Sequence, residues 1–173
     1  MTSITKLGWT ALVLALAVVV IDQATKAWIL TGLNLPLRAS VQLAGPFYLT
    51  MVWNPGVSFV GGFLQAHKEA VRWLLAAFSI GVAGVLVSWV RKAERPLFAI
   101  AIGLVIGGAI GNVVDRIRFG AVADFIDVSR LIYFPWIFNV ADSAITVGIC
   151  LLLVDMLRQD GKERAKRAPQ DAA

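Results

Sequence analysis

Long apolar runs dominate the hydropathy pattern of this 173-residue chain. Four of them, at residues 7–30, 70–90, 96–114 and 137–157, approach or exceed the roughly 20 residues that an α-helix needs to cross a bilayer. The first run could instead be a cleaved signal peptide, with Ala15–Ala17 as the cleavage site. Its helical pattern continues through that site to Leu30, however. The pattern therefore predicts a membrane protein with four transmembrane helices.

One shorter stretch has the period-two pattern of a β-strand. Within the mixed region 33–68, Phe47, Leu49, Met51 and Trp53 alternate with Tyr48, Thr50 and Val52, and Asn54 ends the stretch. The turn signals Gly45-Pro46 and Asn54-Pro55-Gly56, with Gly61-Gly62 further on, punctuate this region. A second strand is predicted at 121–127. We expect a small β-sheet lying on the membrane surface, where exposed aromatic residues are favoured.

Glycine spacing indicates how the helices pack. Gly103, Gly107 and Gly111 recur every four residues in the third run, which predicts a face that a neighbouring helix approaches closely. Gly81 and Gly84 are expected to allow a similar approach to the second run, which otherwise reads as scaffold. Pro96 is placed to be the first residue of the third helix.

Composition and charge support this class of protein and exclude others. Hydrophobic residues make up 58% of the chain and charged residues 16%, whereas soluble domains average about 45–50% and about 25%. The net charge of +5 comes from basic residues at the ends of the apolar runs, so it indicates membrane orientation rather than nucleic-acid binding. One cysteine and one histidine allow no intrachain disulfide and make a zinc site improbable. We expect neither a metal nor a cofactor.

The distribution of basic residues predicts the topology. Lys6, the basic turn at 91–95 and the basic tail at 158–173 fall on one side of the membrane, together with both termini. We place that side in the cytoplasm. The loops 31–69 and 115–136 then face outward, so any chemistry that they carry is extracytoplasmic. The chain is expected to form one domain, with a tail that is disordered at its end.

The candidate chemistry lies at the outer ends of the last two runs. Asp124 is on the predicted strand, and Asp142 is at the start of the fourth helix. Asn112, Asp115 and Arg116 share a face at the end of the third helix, and Asn139 precedes Asp142 by three residues in the same predicted helix. Ionised or amide side chains against hydrocarbon cost several kcal/mol, so these residues need a polar interior.

Several of these residues also have plain structural interpretations. Asp22 and Lys26, four residues apart on the first helix, could be a neutralised pair at the membrane boundary or a support for the site. Asp115 and Arg116 could form only a structural salt bridge. Asn54 could be a turn former before Pro55 or an amide that binds the substrate backbone.

A pair of carboxyls that share one proton can hydrolyse an amide. The ionised carboxyl activates water, and the protonated one donates to the carbonyl oxygen. The pair titrates as a unit, so the sequence does not say which member holds the proton. A Ser–Lys pair of Ser143 and Lys26 is a weaker alternative.

Short motifs follow one another along nearly the whole chain: Asp22-Gln23-x-x-Lys26, Asn54-x-Gly56-x-Ser58-Phe59, Gly111-Asn112-x-x-Asp115-Arg116, Val122-x-Asp124-Phe125 and Phe138-Asn139-x-Ala141-Asp142-Ser143. In this order and on four spans, they resemble the motif set of the bacterial lipoprotein signal peptidases (signal peptidase II). Val57-Ser58 departs slightly from that set, in which small residues such as Ala are more common.

The resemblance implies an intramembrane aspartic endopeptidase of the bacterial inner membrane. Such an enzyme removes the signal peptide from prolipoproteins by cutting on the N-terminal side of a diacylglyceryl-modified cysteine, and globomycin inhibits it. By motif, Asp124 and Asp142 would be catalytic. The residues that would line or brace the site are Asn54, Asn112, Asp115, Arg116 and Asn139, with Asp22 and Lys26 in support. The partners implied are diacylated precursors and membrane lipids.

Other function classes make different predictions. A small transporter or proton relay would distribute acids through the membrane depth. Here Asp22, Asp115, Asp124 and Asp142 fall in one outer layer, and Asp155 alone lies near the inner side. A non-catalytic assembly factor would need no paired acids.

Overall fold

The computed structural model describes residues 3–56 and 67–167, and side chains only as far as Gly161. The predicted turn at Gly61-Gly62, the motif residues at 57–59 and the last six residues of the tail lie outside this range. Four helices are long and apolar enough to cross a membrane, as the hydropathy pattern predicts, at Lys6–Gly32, Lys68–Val90, Pro96–Phe119 and Val140–Gly161.

The elements follow one another in this order. Helix α1 (Lys6–Ala27) continues into a π-helical turn (Trp28–Gly32), and then come α2 (Leu35–Arg38), β1 (Ser40–Ala44) and β2 (Phe47–Asn54). After the gap come α3 (Lys68–Val90), α4 (Pro96–Phe119), β3 (Val122–Asp127), α5 (Ser129–Ile132), β4 (Ile137–Phe138) and α6 (Val140–Arg167). Pro96 is the first residue of α4, as expected.

Helix α4 is the centre of the bundle. Of its apolar 18-residue stretch 67% is buried, whereas the corresponding stretches of the other spans are 22–28% buried. Its glycines allow this. A Cβ added at Gly103 would lie 2.7 Å from Ala11 O of α1, and one at Gly107 would lie 2.6 Å from Ala15 O. Gly108, on another side, contacts Ala141 O of α6. The close-packing face predicted for α4 is confirmed.

The corresponding prediction for α3 is wrong. Nothing lies within 4 Å of a Cβ built at Gly81 or at Gly84, so no neighbouring helix of the described chain uses these positions. Helix α3 instead packs on α4 at positions such as Ala76, Ala83 and Leu86, which are buried. The two glycines lie on the side of α3 that faces away from the bundle.

A four-stranded antiparallel sheet in the order β1-β2-β3-β4 lies at one end of the bundle. The predicted strands correspond to β2 and β3, and their register pairs Val52 with Asp124. The helix predicted from residue 137 begins only at Val140, because Ile137 and Phe138 pair with β3 as the edge strand β4. Ile29, Leu35, Leu49 and Phe125 form a small buried core that attaches the sheet to α1.

Helix ends extend beyond the apolar runs. Helix α4 continues five residues past the predicted limit of 114, to Phe119, and ends at Gly120, whose φ of +80° suits a glycine C-cap. Helix α6 continues to Arg167, so the first ten residues of the predicted tail are helical. Hydropathy marks where a helix leaves the lipid, whereas backbone hydrogen bonding carries the helix further into the polar phase.

Candidate active site

Asp124 is held on β3 with its side chain almost fully buried. Its Oδ2 accepts a hydrogen bond from Asn54 Nδ2 at 2.9 Å, and its Oδ1 accepts one from Asn139 Nδ2 at 2.6 Å. Burial raises the pKa of Asp124 to about 6, and the nearby charge of Asp142 adds to the rise. A carboxyl with this pKa can hold a proton close to neutral pH.

Asp127, on the same strand, behaves differently. Burial alone would raise its pKa, but hydrogen bonds from the Ser129 hydroxyl, the Thr50 hydroxyl and the Ser129 backbone N–H outweigh burial and lower the pKa. Asp127 therefore remains ionised, and its hydrogen bonds fix the end of the strand.

Asp142 is the third residue of α6, and Asn139 is the N-cap of that helix rather than a residue within it. The Asn139 Oδ1 accepts from Asp142 N at 2.9 Å, and an Asp142 carboxylate oxygen accepts from Asn139 N at 3.3 Å. This reciprocal pair is a capping box. The sequence predicted that both residues lie within the helix. Asn139 is instead the cap, because β4 keeps the chain extended up to residue 138. Asn112 Nδ2 completes the shell of Asp142 with a hydrogen bond of 2.7 Å.

Both acids line one cavity of about 730 Å³. Asn139 joins them, since its amide nitrogen binds the Asp124 carboxylate while its amide oxygen binds the Asp142 backbone. The rest of the wall is largely apolar or weakly polar; beside Asn54 it consists of Phe134, Pro135, Trp136, Ile137, Phe138, Ser143, Thr146 and Val147. Two carboxyls thus face a largely apolar space that can receive a substrate backbone.

Lys26 is the centre of a buried polar cluster behind the cavity. Its Nζ lies 2.8 Å from Asp22 Oδ2, 2.8 Å from Asp115 Oδ2 and 3.3 Å from Asn112 Oδ1. An ammonium has three N–H donors, so these three acceptors satisfy it. Asp22 and Lys26 are therefore an internal support and not a pair at the lipid boundary. Asp115 pairs with Lys26 and not with its neighbour Arg116, so the simple salt bridge considered from the sequence is absent among the described ion pairs.

The two acids of this cluster each hold an element that carries a cavity acid. Asp22 Oδ1 accepts from Ala141 N at 3.0 Å, next to Asp142 in α6. Asp115 Oδ2 accepts from Ala123 N at 3.1 Å, next to Asp124 in β3. The Lys26 cluster thereby fixes α6 and β3 relative to each other, with α1 and α4 as the frame.

Asn54 and Arg116 complete the predicted set. Gly56 N donates to Asn54 Oδ1 at 2.8 Å, which is the turn role considered for Asn54, and its amide nitrogen faces Asp124. Binding of the substrate backbone by this amide stays a prediction. Arg116 Nη1 donates to Asn112 O at 3.3 Å, and the guanidinium is within electrostatic range of Asp142, Asp115 and Asp124. Its Nε is buried and has no hydrogen-bond partner among the described residues.

Two contributors were missed from the sequence. Gln23 Nε2 donates to Asp115 Oδ1 at 2.9 Å and to Asp22 Oδ2 at 3.1 Å; its place beside Asp22 was the available signal. Arg72 of α3 donates to the carbonyls of Arg116 and Ile117 at 2.7 and 3.1 Å, which caps the end of α4. No spacing within the chain could have revealed that contact between helices.

Other chemistries lack the necessary contacts. The Ser143 hydroxyl donates to Asn139 O at 3.0 Å, while Lys26 is bound to carboxylates, so the two do not form a Ser–Lys pair. Among the described side chains, in residues 3–56 and 67–161, no group of three or more His, Cys, Asp or Glu is placed to hold a metal ion.

Comparison with known proteins gives a consistent result. A family model described as signal peptidase (SPase) II matches residues 14–158. The lipoprotein signal peptidase of Caulobacter vibrioides is 56% identical over 154 residues, which cover 88% of this chain and 89% of that protein. The lipoprotein signal peptidase of Methylobacterium radiotolerans is 42% identical over 167 residues, covering 96% and 95%.

Solved structures agree with the fold. A bacterial membrane enzyme determined by the in meso method at 2.3 Å resolution superimposes with a TM-score of 0.76 at 28% identity, covering 94% of this chain and 95% of the other. A second such structure, at 1.9 Å, gives 0.73 at 29% identity, covering 91% and 97%. These comparisons do not support the transporter considered from the sequence.

Proposed function

This chain belongs to the signal peptidase II family of membrane proteases, and from that premise we propose that it removes the signal peptide from diacylglyceryl-modified prolipoproteins. Cleavage falls on the N-terminal side of the lipidated cysteine. The observation that carries the proposal is that Asp124 and Asp142 line one cavity and are joined through Asn139.

The reaction needs one proton shared by the two carboxyls. The ionised carboxyl removes a proton from a water molecule, whose oxygen attacks the scissile carbonyl carbon, while the protonated carboxyl donates to the carbonyl oxygen. The tetrahedral intermediate then collapses: one carboxyl protonates the leaving amine of the cysteine as the C–N bond breaks, and the other removes a proton from a hydroxyl of the intermediate, which becomes the new carboxylic acid. One water is consumed, and the pair returns to its singly protonated state.

The surrounding residues position this pair. Asn54 and Asn139 bind Asp124, and Asn112 binds Asp142, so neither carboxyl can rotate freely. Lys26 binds Asp22 and Asp115, and these two acids hold the backbone beside Asp142 and Asp124. The positive charge of Arg116, which interacts electrostatically with Asp124 and Asp142, is assigned the role of stabilising negative charge that develops on the substrate carbonyl.

The apolar walls fit the proposed substrate. A signal peptide is a short apolar helix, and an acylated cysteine remains at the lipid boundary, so the scissile bond arrives at the depth where α4 and α6 become polar. The cavity's aromatic and aliphatic walls keep the local concentration of water low. Globomycin-type cyclic peptides are expected to compete for this cavity, and membrane lipids to surround it.

We also propose the cellular arrangement. The protein is a multi-pass protein of the bacterial inner membrane with one domain, both termini in the cytoplasm and the active site at the extracytoplasmic face. The basic residues Lys6, Arg91, Lys92 and Arg95, together with those of the C-terminal helix, support this orientation. The sheet and the cavity lie at the other end of the bundle.

The experiment uses the purified full-length protein and a precursor with or without the diacylglyceryl group. Asp124→Asn and Asp142→Asn each keep the size of the side chain and remove its ability to share the proton. We expect either substitution to abolish cleavage of the diacylated precursor. The enzyme without substitutions should cut the diacylated precursor and leave the unacylated one uncut. Asp127→Asn, on the same strand but outside the cavity, is the matched control and should retain activity.

Thermal unfolding in detergent checks that all variants fold. Appreciable turnover by Asp142→Asn would contradict the shared-proton mechanism. Equal cleavage of both precursors would contradict the proposed substrate class while leaving the protease itself intact.

A further inference from the structure

The end of α5 and the segment that connects it to β4 expose an unusual run of apolar side chains. The exposed fractions are 50% for Leu131, 46% for Ile132, 95% for Tyr133, 52% for Phe134 and 52% for Trp136. We call residues 131–136 the aromatic loop. Contiguous exposed apolar surface of this kind marks a protein or membrane contact and is disfavoured in water.

The backbone of the loop is also unusual. Tyr133 has a φ of +53°, in the left-handed region that bulky residues rarely adopt. Its side chain is almost fully exposed, so no described residue covers the ring. A contact outside the described chain would bury it.

The position of the loop identifies that contact. Phe134 and Trp136 line the same cavity as Val147 of α6, which is half exposed on the outside of the bundle. Val147 lies seven residues into the span that starts at Val140, which is about 10 Å along the helix. The aromatic loop therefore adjoins the exposed apolar surface of the span that α6 contributes.

A basic residue borders the loop on its other side. The exposed Arg130 guanidinium lies 3.7 Å from the centre of the Tyr48 ring, which orients it beside the apolar run. An arginine and several aromatic residues next to an aliphatic patch match the preferences of the phosphate and acyl layers of a lipid interface. This arrangement of basic, aromatic and aliphatic side chains favours lipid over a second copy of the chain as the partner of the aromatic loop.

We propose that the aromatic loop inserts into the lipid boundary on the side of the membrane that carries the sheet. Leu131, Ile132 and Tyr133 reach the acyl region, and Arg130 meets lipid phosphate. Because Phe134 and Trp136 also form the cavity wall, this side of the cavity then opens toward lipid and not toward water. The inference concerns where the loop lies and does not depend on which substrate is cut.

Depth measurement by spin labelling tests the proposal. Cys150 is the only cysteine, so Cys150→Ser gives a background in which one label can be placed. Ile132→Cys and Tyr133→Cys are labelled with a nitroxide in vesicles of phosphatidylethanolamine and phosphatidylglycerol. Accessibility to oxygen, which partitions into lipid, is compared with accessibility to a water-soluble nickel chelate. Phe78→Cys, on the exposed surface of α3, is the lipid reference, and Lys92→Cys, in the exposed α3–α4 turn, is the water reference.

We expect the oxygen-to-nickel ratio at 132 and 133 to shift from the value at 92 toward the value at 78. A ratio equal to that at 92 would place the loop in water and overturn the proposal. Exclusion of both reagents, or spin–spin broadening that disappears when the protein is diluted in lipid, would mean that a second copy covers the loop, which would also overturn it. Thermal unfolding in detergent checks that each labelled variant is folded.

Discussion

Asn139 connects the two acids, and the chain offers substitutions that separate its two roles. Its amide oxygen caps α6 by accepting from Asp142 N, and its amide nitrogen donates to Asp124 at 2.6 Å. Serine is about as good an N-cap as asparagine but has no amide nitrogen to reach Asp124, whereas alanine serves neither role. Asn139→Ser and Asn139→Ala therefore form a matched pair.

The expected magnitudes follow from these contacts. Loss of an N-cap costs about 0.5–2 kcal/mol, so Asn139→Ala should lower the free energy of unfolding by about that amount or more, because the side chain is fully buried. Asn139→Ser should retain most of that stability. A hydrogen bond to a charged group contributes about 1.5–3 kcal/mol, which corresponds to a loss of roughly 10- to 100-fold in rate if the bond persists in the transition state. Both variants should show that loss.

Two measurements on the same preparations separate the roles. Tryptophan fluorescence during thermal unfolding in detergent reports stability, and the mobility shift of a diacylated precursor on a gel reports kcat/KM. Full activity in Asn139→Ser would refute the role of the Asn139–Asp124 bond in the reaction. Equal destabilisation by serine and alanine would refute the assignment of Asn139 as the N-cap.

Two further predictions use the same assays. Because burial raises the pKa of Asp124 to about 6, the proton of the acid pair is lost as pH rises through that value, so kcat/KM should fall on the alkaline side of about pH 6. The Asn139 hydrogen bond opposes that rise in pKa, so Asn139→Ser should move the fall in kcat/KM to higher pH. An unchanged pH profile of kcat/KM would contradict the assignment of this fall to Asp124. Lys26→Met leaves Asp22 and Asp115 buried without a cation and should lower the free energy of unfolding by about 3–5 kcal/mol, whereas the exposed Lys6→Met on the same helix should change it by less than about 0.5 kcal/mol. Equal unfolding temperatures for the two lysine variants would contradict the role of Lys26.

Local pattern was sufficient for the largest elements of this fold, the four spans and strands β2 and β3, but not for α2, β1, α5 or β4. Transmembrane helices are visible in sequence because every backbone group in lipid must be paired within its own helix, so an apolar run of sufficient length has few alternatives. Strand β2 was visible because its residues alternate with a period of two, and β3 was predicted as a short strand between the last two spans. The four-residue spacing of Gly103, Gly107 and Gly111 predicted the packing of α4 on α1, since only small residues allow such an approach.

Similar local signals gave wrong predictions where contact with another helix or strand determines the structure. Gly81 and Gly84 have the composition of a packing face, but α3 turns them away from the bundle. Asn139 has helical spacing to Asp142 but is the cap, because pairing of Ile137 and Phe138 with β3 keeps the preceding chain extended. In both cases a distant element determines the outcome, and the sequence window around the residue does not contain it.

The sequence by itself therefore determined the four spans and the two main strands. It also identified the polar residues that need a polar interior, because their exposure to lipid would be costly. Tertiary structure alone decided how those residues are used: that Lys26 binds Asp115 as well as Asp22, that Asp22 and Asp115 hold the backbones beside Asp142 and Asp124, and that Asn139 joins the two acids. The physical reason is that an apolar run and a period-two pattern are properties of a short stretch of chain. The site depends on contacts between different elements, which lie up to 119 positions apart in the case of Asp22 with Ala141, and these exist only after the helices and the sheet have packed.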